Sequence, residues 1–600
     1  MTKIPSTAKW FQSNRGDIFG SIWSSFNVDL TSQRDRQKGN IRTTRMLLGA
    51  TSATLTDMGV PVAFKKFNDV TFALAGAELY VQGAAHTSTW SKVASSPTNF
   101  NKHSDMEIFN GLLYISEGSD DDIARYDGSS WTEISVGEVG TSRFKALCVY
   151  ADRLYISGIL SGNSIIKSMN TSQSVTAVGG SNTVTINDNA RNVITFLRPV
   201  SNGIWIGTVN SRGGKGHIYF WDGVQTSINS SYRLQSAGAL SGVVKDDVLY
   251  CMDADGRLLA FNGGTFVEID RLPIKENYLT AAVLATGDRW IHNNGMTVAD
   301  DRILMLIDNN YYIGALRDTI PENLSSGIYE WSEDTGLYHK FSLSHCPVSG
   351  AGGGSITDYG QNRFGISSAL GVPGACAFLK QNQTPDSDNG SLFAGAKLST
   401  TATAQIFGIF IDDLNDTVQK YGYFVTPKIY SQSLVDAWQK VYVRHRKLLN
   451  STDKIIVKYR TEEEDAQEMT VTWVDTNTWT TTDADVDAFS PTTLGYNPEC
   501  EVIQGDGSGK CAHITSVTNV AGTRTVELDD TFTGATTRTA KVRLQKWRKC
   551  GEGTDQTVKF HQFPIGANDT WVQLKVCMQF TGENEIDDLL LVNAEYQPAK

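Results

Sequence analysis

The chain has 600 residues, of which 40% are hydrophobic and 20% charged, so it is long enough for several globular domains. Its 53 basic and 65 acidic residues give a net charge of −12, which argues against a general nucleic-acid binder because phosphate contact needs a basic surface. No stretch approaches the roughly 20 apolar residues of a membrane helix, and residues 1–6 lack the apolar core of a secretory signal. We therefore expect no membrane span and synthesis in a cytoplasm.

Residues 1–55 are predicted to form an N-terminal docking arm, because aromatic anchors occur there without a clear period and a basic, turn-rich stretch follows them. Such an arm docks either on the chain's own domains or on a neighbouring subunit, and both alternatives remain open. We expect the aromatic anchors to be buried in an assembled particle, partly by a neighbouring subunit, and the basic residues to face an acidic partner or DNA. The predicted assembly residues are Trp10, Phe19, Trp23, Arg34, Arg36, Lys38, Arg42 and Arg45.

Residues 56–418 contain short apolar runs that recur with an aromatic residue at the matching place, and successive aromatic centres lie 34, 41, 50 and 45 residues apart. These centres are Tyr80, Tyr114, Tyr155, Trp205 and Tyr250. A repeat of this length built from strands and turns is typical of a β-propeller, whose blades bury their faces by stacking on one another. About seven blades are predicted, with six or eight also open, near 65–95, 105–137, 144–178, 192–228, 236–270, 295–343 and 365–412.

A second motif follows several of these runs: an aromatic residue, then Asp or Asn before Gly in a tight turn, then another strand, as at 126–128, 221–223 and 261–263. Three tryptophans in the repeat, Trp90, Trp131 and Trp221, have two interpretations. Packing between blades is the favoured one. If the rings are exposed instead, they could stack on sugars, and the chain would be a host-surface propeller that binds or cleaves glycans.

The C-terminal part is predicted to be a β-sandwich in two segments, 419–471 and 550–600, with a small β-barrel inserted at 472–549. Strand-like alternation runs from Trp438 to Arg446 and again from Trp571 to Phe580, which suggests that strands from both ends form one sandwich. The fold class is therefore all-β: a propeller followed by a sandwich with an inserted barrel.

A search for catalytic signatures finds none, so the chain is predicted to be a non-enzyme without cofactor or metal. The Gly-rich run 505–511 departs from a phosphate loop in spacing and has strands on both sides. The Asp253-Ala254-Asp255-Gly256 segment is a hairpin turn in the favoured interpretation and a calcium loop in the other. The eight cysteines lack paired short spacings with Cys or His, which predicts unpaired thiols rather than zinc sites.

The layout as a whole resembles structural proteins of tailed bacteriophages. The arm from Phe26 to Arg45, the irregular propeller, and the C-terminal half with strands at 438–443 and 572–576 carry this resemblance. Tail nozzle and tail-tip proteins of such phages combine a propeller with added β-domains in a ring. The resemblance implies a non-enzymatic tail subunit located in the virion, made in the host cytoplasm and self-associating in a cycle. Its implied partners are other tail proteins, with passing contact to DNA or a host receptor.

Overall fold

The structure is a computed structural model whose regular structure is almost entirely β-strand. In the part of the chain that it describes, the helices are a 3-10 helix at Ala484–Phe489 and α1 at Pro491–Leu494. The described residues are 2–4, 24–26, 28–29, 42–43, 47–49, 60–83, 90–97, 99–101, 103–118, 122–135, 145–160, 163–172, 175–176, 183–186, 192–212, 214–272, 290–307, 327–341, 348–349, 355–356, 374–380, 390–401, 404–412, 421–430, 436–462, 466–504, 510–532, 539–580 and 586–595.

Five short strands come from the N-terminal arm. Two of them, β3 and β4, pair with each other in antiparallel fashion. The other three lie at the edges of sheets that belong to the propeller or the sandwich of the same chain. The five strands are β1 (Thr2–Ile4), β2 (Ser24–Phe26), β3 (Val28–Asp29), β4 (Arg42–Thr43) and β5 (Leu47–Gly49).

The first four blades of the propeller are antiparallel sheets, of four strands each except the third, which has five. Blade 1 has β6 (Pro61–Phe67), β7 (Val70–Ala75), β8 (Glu78–Gln82) and β9 (Trp90–Lys92); blade 2 has β10 (Met106–Phe109), β11 (Leu112–Ser116), β12 (Asp122–Tyr126) and β13 (Trp131–Ser135). Blade 3 has β14 (Leu147–Tyr150), β15 (Arg153–Leu160), β16 (Asn163–Met169), β17 (Val175–Thr176) and β18 (Thr183–Ile186); blade 4 has β19 (Asn192–Val200), β20 (Gly203–Asn210), β21 (His217–Trp221) and β22 (Ser230–Arg233).

The last three blades continue the pattern, and β31 and β32 form a separate two-stranded sheet between blades 6 and 7. Blade 5 has β23 (Ala239–Lys245), β24 (Val248–Asp253), β25 (Arg257–Phe261) and β26 (Phe266–Arg271); blade 6 has β27 (Met296–Ala299), β28 (Arg302–Ile307), β29 (Gly327–Ser332) and β30 (Gly336–Phe341). They are followed by β31 (Val348–Ser349), β32 (Ser355–Ile356) and the blade 7 strands β33 (Cys376–Lys380), β34 (Gly390–Thr401) and β35 (Ala404–Asp412).

The seven sheets close into one ring. The innermost strands contact one another in the order β6, β10, β14, β19, β23, β27 and β33, and β33 contacts β6 again. Blade 7 takes its fourth strand from the arm, because β5 pairs with β35. The predicted seven-bladed propeller is confirmed, and the chain's own N-terminal arm completes its last blade.

The turns explain why this sequence makes short hairpins. The first hairpin of blades 1 and 5 turns through Asn68–Asp69 and Asp246–Asp247, all with positive φ, a conformation that Asn and Asp tolerate best after Gly. The aromatic–turn motif forms an Asx turn. In blade 2 the Asp127 carboxylate accepts the backbone N–H groups of Ser129 and Ser130, and Asp222 and Asn262 do the same in blades 4 and 5.

The strands after the propeller build the sandwich and the barrel. The sandwich has one sheet in the order β1-β49-β38-β47 and a second in the order β2-β36-β48-β39-β46, while β40 to β45 close into a barrel. In chain order they are β36 (Tyr421–Val425), β37 (Ile429–Tyr430), β38 (Asp436–His445), β39 (Lys454–Arg460), β40 (Gln467–Trp473), β41 (Thr478–Thr481), β42 (Glu499–Gln504), β43 (Cys511–Val520), β44 (Thr523–Leu528), β45 (Thr539–Gln545), β46 (Arg548–Gly553), β47 (Phe560–Asp569), β48 (Trp571–Gln579) and β49 (Ile586–Glu595).

The predicted sandwich with its inserted barrel is confirmed. The barrel begins at Gln467, slightly before the predicted boundary at 472, and ends at Gln545. The alternation predicted through β38 is interrupted by a bulge between Trp438 and Lys440. Because the bulge shifts the pleat by one residue, Trp438 packs in the sandwich core with Val441 rather than on the face of Lys440.

Two arm strands extend the sandwich. The first, β1, pairs with β49, and β2 pairs with β36. Strands β2 and β3 also contact β30 of blade 6, where Tyr338 is fully buried in the sandwich core. The arm therefore joins the two halves of the chain, with two strands in the sandwich and one in the propeller.

Candidate functional site

The propeller axis holds a cavity of about 250 Å³ to which all seven blades contribute. Its walls are mixed: apolar groups such as Leu197, Pro199, Val243 and Met296 alternate with polar ones. Ligands of propellers bind in such central depressions, because the blades converge there and their loops surround it. The polar lining residues are Lys65, Asp105, Glu107, Arg198, Asn294 and Thr297.

The Asp105 carboxylate joins three blades at this axis. Its Oδ1 accepts the Met106 N–H (2.8 Å) and the Asn294 Nδ2 amide (2.8 Å), and its Oδ2 accepts the Leu147 N–H (3.0 Å). These donors belong to blade 2, to the segment that enters blade 6, and to blade 3. Asn294 also donates to the carbonyl of Val62 in blade 1 (3.2 Å). Asp105 is buried, so each of these bonds is made away from water.

Arg198 extends the network to blades 4 and 5. Its guanidinium donates to the carbonyl of Gly242 (2.6 Å), the carbonyl of Asn293 (3.3 Å) and the Oδ1 of Asn294 (3.2 Å). Burial lowers the pKa of Arg198, while Asp105 and Glu107 act in the opposite direction. We call Asp105, Arg198 and Asn294 the axial lock, because their direct hydrogen bonds cross the propeller axis.

The second carboxylate of the cavity is also engaged. Both oxygens of Glu107 accept from the Lys65 Nζ at 2.9 Å, which ties blade 1 to blade 2. A glycosidase needs two carboxylates that face a bound sugar, one of them able to deliver a proton. Here Asp105 accepts three donors and Glu107 is paired with an ammonium group. The arrangement serves to hold blades together.

Two of the three tryptophans singled out in the sequence, Trp90 and Trp221, pack between blades. Trp90 is buried and meets Phe393 of blade 7 edge-on, with ring centroids 6.2 Å apart. Trp221 of blade 4 is fully buried and meets Tyr155 of blade 3 edge-on at 5.5 Å. Trp131 is half-buried against the Tyr126 ring of its own blade, at 4.7 Å, and its Nε1 donates to a blade 1 carbonyl. The packing interpretation is confirmed for Trp90 and Trp221.

The Asp253–Gly256 segment is a hairpin turn built around a buried arginine. Asp253 accepts the N–H groups of Asp255 and Arg257 (both 2.9 Å), and the Arg257 guanidinium bonds to Asp255 at 2.6 Å. Gly256 takes a positive φ of 77° in the turn. Burial raises the pKa of Asp253 to about 6, against the opposing effect of the Arg257 N–H and guanidinium. The arginine occupies the position between the two carboxylates that a calcium ion would need.

Most of the predicted assembly residues lie outside the described residues. These are Trp10, Phe19, Trp23, Arg34, Arg36, Lys38 and Arg45. The remaining one, Arg42, lies in β4 with Asp29 of β3 as its cross-strand partner. Residues 505–509 of the Gly-rich run also lie outside the described part. The prediction that these arm residues mediate assembly therefore remains a prediction.

The contact between barrel and sandwich was not anticipated from the sequence. Glu499 of β42 is fully buried, and its two oxygens accept from the Nζ of Lys458 on β39 and of Lys575 on β48, the latter at 2.6 Å. Although burial raises the pKa of Glu499, the two ammonium groups outweigh it and lower that pKa to about 2. The partners are 41 and 76 residues apart, so no local pattern could have shown them.

The seven cysteines within the described ranges are thiols rather than cystines, as predicted, and Cys346 lies outside those ranges. Most of them pack as small apolar groups, and burial raises the pKa of Cys376 at the axial cavity to about 12. Two of them, Cys511 and Cys577, lie instead beside Glu499 in the contact between barrel and sandwich. Within the described part, no helix has the length and apolar character needed to cross a bilayer.

Comparison with known proteins leaves the family open. No protein-family model matches the chain, and no curated protein matches it. Among solved structures, a catalytically inactive virginiamycin B lyase from Staphylococcus aureus is 9% identical over 61% of this chain and 98% of its own, with a TM-score of 0.39. A streptogramin B lyase is 10% identical over 62% of this chain and 98% of its own, with a TM-score of 0.38. The computationally designed Ika8 protein is 11% identical over 61% of this chain and 99% of its own, with a TM-score of 0.35. At these values the lyase activity of the first two is no guide to the function of this chain.

Proposed function

We propose that this chain is a non-enzymatic structural subunit of a bacteriophage tail, located in the virion after synthesis in the host cytoplasm. It would act as a nozzle, ring or tip component, forming part of the conduit for DNA or a platform for receptor-binding parts. The observation that carries the proposal is the arm, whose strands β1 and β2 extend the sandwich while β5 completes blade 7. The arm thus links the propeller to the sandwich within one chain, as a tail subunit under mechanical load would require.

The axial lock adds a constraint on the path of DNA. Asp105, Arg198 and Asn294 cross the propeller axis with direct hydrogen bonds of 2.8 and 3.2 Å. A duplex cannot pass through an axis closed in this way. In the proposed assembly, DNA therefore runs between copies of the chain in a ring, and each propeller forms a block of the wall. Rings of identical chains form naturally when one surface of a subunit binds a different surface of the next.

The alternative, a propeller that binds or cleaves glycans, has no observation that favours it. Trp90 and Trp221 are buried between blades, and the axial carboxylates Asp105 and Glu107 are engaged by donors from neighbouring blades.

Two experiments test this proposal. Size-exclusion chromatography with light scattering and negative-stain electron microscopy of the purified full chain should give cyclic oligomers. Mass spectrometry of purified particles of the source phage should detect the chain in a fixed ratio to other tail proteins. A chain that stays monomeric at high concentration and is absent from the particles would refute the proposal. Shortening of a host polysaccharide by the purified chain would establish the enzymatic alternative.

A further inference from the structure

The barrel and the sandwich face each other with side chains whose positions follow from strand register. On the barrel, Glu501 has Cys511 and Arg543 as its cross-strand partners on either side. Directly paired residues point to the same face of a sheet, and residues two apart on a strand do so as well. Glu499, Glu501 and Cys511 therefore share the barrel surface that meets the sandwich. On the sandwich, Cys577 lies on β48 two residues after Lys575, on the face that meets the barrel.

Three groups from these two surfaces come together. The sulfur atoms of Cys511 and Cys577 and a carboxylate oxygen of Glu499 all lie within 4.8 Å of one another, and all three residues are buried. In a tetrahedral zinc site, bonds of about 2.3 Å to sulfur and 2.0 Å to oxygen place the ligand atoms roughly 3.5 to 3.8 Å apart. The observed limit of 4.8 Å is somewhat wider than this, so the three groups draw together by roughly 1 Å at most to bind zinc.

Glu501 is an independent indication of a bound group. It is fully buried, yet neither of its carboxylate oxygens has a hydrogen-bond partner among the described residues. Its nearest cationic atoms are Arg543 Nη1 and Lys575 Nζ, each 3.8 Å from Oε2 and too distant for hydrogen bonds. A buried carboxylate without hydrogen bonds is costly, because ion pairs at 3.8 Å replace its lost hydration only in part. As the cross-strand neighbour of Cys511, Glu501 borders the cluster without belonging to it, and its carboxylate has to move closer to supply a fourth ligand.

The charges around the cluster accommodate a divalent ion. The carboxylates of Glu468, Glu499 and Glu501 are matched by the cationic groups of Lys458, Lys575 and Arg543. When a zinc ion replaces the proton of each thiol, two protons leave and two positive charges enter, so this balance does not change. The mixture of thiolate and carboxylate ligands suits zinc better than copper(I), which prefers sulfur alone, or magnesium, which prefers oxygen.

We propose that Glu499, Cys511 and Cys577 bind a zinc ion that joins the barrel to the sandwich, with Glu501 in the fourth position. The ion is structural, because all of its ligands are buried side chains. In the bound form Lys458 and Lys575 remain hydrogen-bonded to the ligating carboxylate and neutralise the excess negative charge of the site. Since the thiols are only 6% and 7% exposed, the ion enters while the two domains come together during folding.

The full chain, expressed with zinc in the medium and desalted, tests this site by elemental mass spectrometry. We expect about one zinc ion per chain, the stoichiometry of one four-ligand site. Cys511→Ser and Cys577→Ser should each abolish binding, and Cys550→Ser, a cysteine of the same sandwich outside the cluster, should retain it. In case a serine variant misfolds, cobalt(II) added during refolding of the wild-type chain gives a second measurement. A thiolate-to-cobalt charge-transfer band is expected there, and the Cys550→Ser variant should show the same band.

Three results would overturn the proposal. One is a wild-type chain with no more zinc than the Cys511→Ser/Cys577→Ser double variant. Another is refolded wild-type protein that binds cobalt without a thiolate charge-transfer band. The third is a disulfide between Cys511 and Cys577 in the intact protein under non-reducing mass spectrometry, since a cystine has no thiolate left for a metal.

Discussion

The axial lock makes a sharp prediction about Asp105. Replacing it by Ala removes the acceptor of three donors at once: the N–H groups of Met106 and Leu147 and the Asn294 amide. Each buried donor left without a partner costs about 1–3 kcal/mol, so the sum for three donors is about 3–9 kcal/mol, toward its lower end if water from the axial cavity reaches the donors. Against a domain stability of about 5–15 kcal/mol, this is a large fraction.

The assay is hydrogen exchange of the full chain, followed by mass spectrometry of peptides that contain Met106 and Leu147. Asp105→Ala should increase exchange in both peptides and in the segment around Asn294, because the three segments share one acceptor. Asp105→Asn keeps one acceptor oxygen and should give an intermediate effect.

The matched control is Asp247→Ala, which removes an exposed carboxylate that accepts from Ser201 in a hairpin turn. It should leave exchange at the axis unchanged. If Asp105→Ala alters the axial peptides no more than Asp247→Ala does, the blades are not held together by this carboxylate and the reasoning fails.

Three further predictions concern the contact between blades 7 and 1, a buried aspartate and the N-terminal arm. Phe393→Ala should destabilise the propeller by about 3–5 kcal/mol, because the buried ring joins blade 7 to Phe64 and Trp90 of blade 1. Thermal unfolding measures this loss. The control Val224→Ala, at a side chain that is 70% exposed, should change the unfolding temperature little. Asp253 has a folded pKa raised to about 6, above the unfolded value of about 3.9, so its contribution to stability is full below pH 3.9 and is lost as the pH rises through 6. Calorimetry between pH 4 and 7 should show that the free energy of unfolding declines by up to about 3 kcal/mol, and Asp253→Asn should remove this decline. Equal slopes in both proteins would contradict the assignment. Deleting residues 2–30 should leave the propeller folded while weakening assembly. Deleting residues 2–49 also removes β5 and should lower the thermal stability of the propeller. Equal thermal stability of the two truncated chains would show that β5 is dispensable.

The features that the sequence reveals are those encoded within one hairpin. The spacing from Tyr80 to Tyr250 reports the length of a blade, and the turn residues from Asn68 to Asn262 report hairpins whose geometry needs Asn, Asp or Gly. The blade count and the sandwich with its inserted barrel could therefore be predicted. Strand β5 could not, because three residues of an edge strand carry no period of their own and their partner β35 lies more than 350 residues away in the chain.

The sites built across domains were equally hidden. Asp105 and Asn294 are 189 residues apart, and each looks like an ordinary turn residue in its own segment. The Glu499–Lys575 pair joins two strands that read in isolation as a barrel strand and a sandwich strand. The search for zinc sites relied on short spacings between ligands, and such a rule cannot find Cys511 with Cys577, whose proximity depends on how two domains pack.

The pairing of β1 with β49 has a consequence for biosynthesis. Thr2 is the cross-strand partner of Leu591, so ribosomes must add 589 residues before the two can meet. At a translation rate of about 5–20 residues per second, the interval is roughly half a minute to two minutes. Throughout that time the β1 strand has no partner, and the sandwich edge that will receive it does not yet exist. The propeller can close while the chain is still on the ribosome, but the sandwich is completed only after its final strand has emerged.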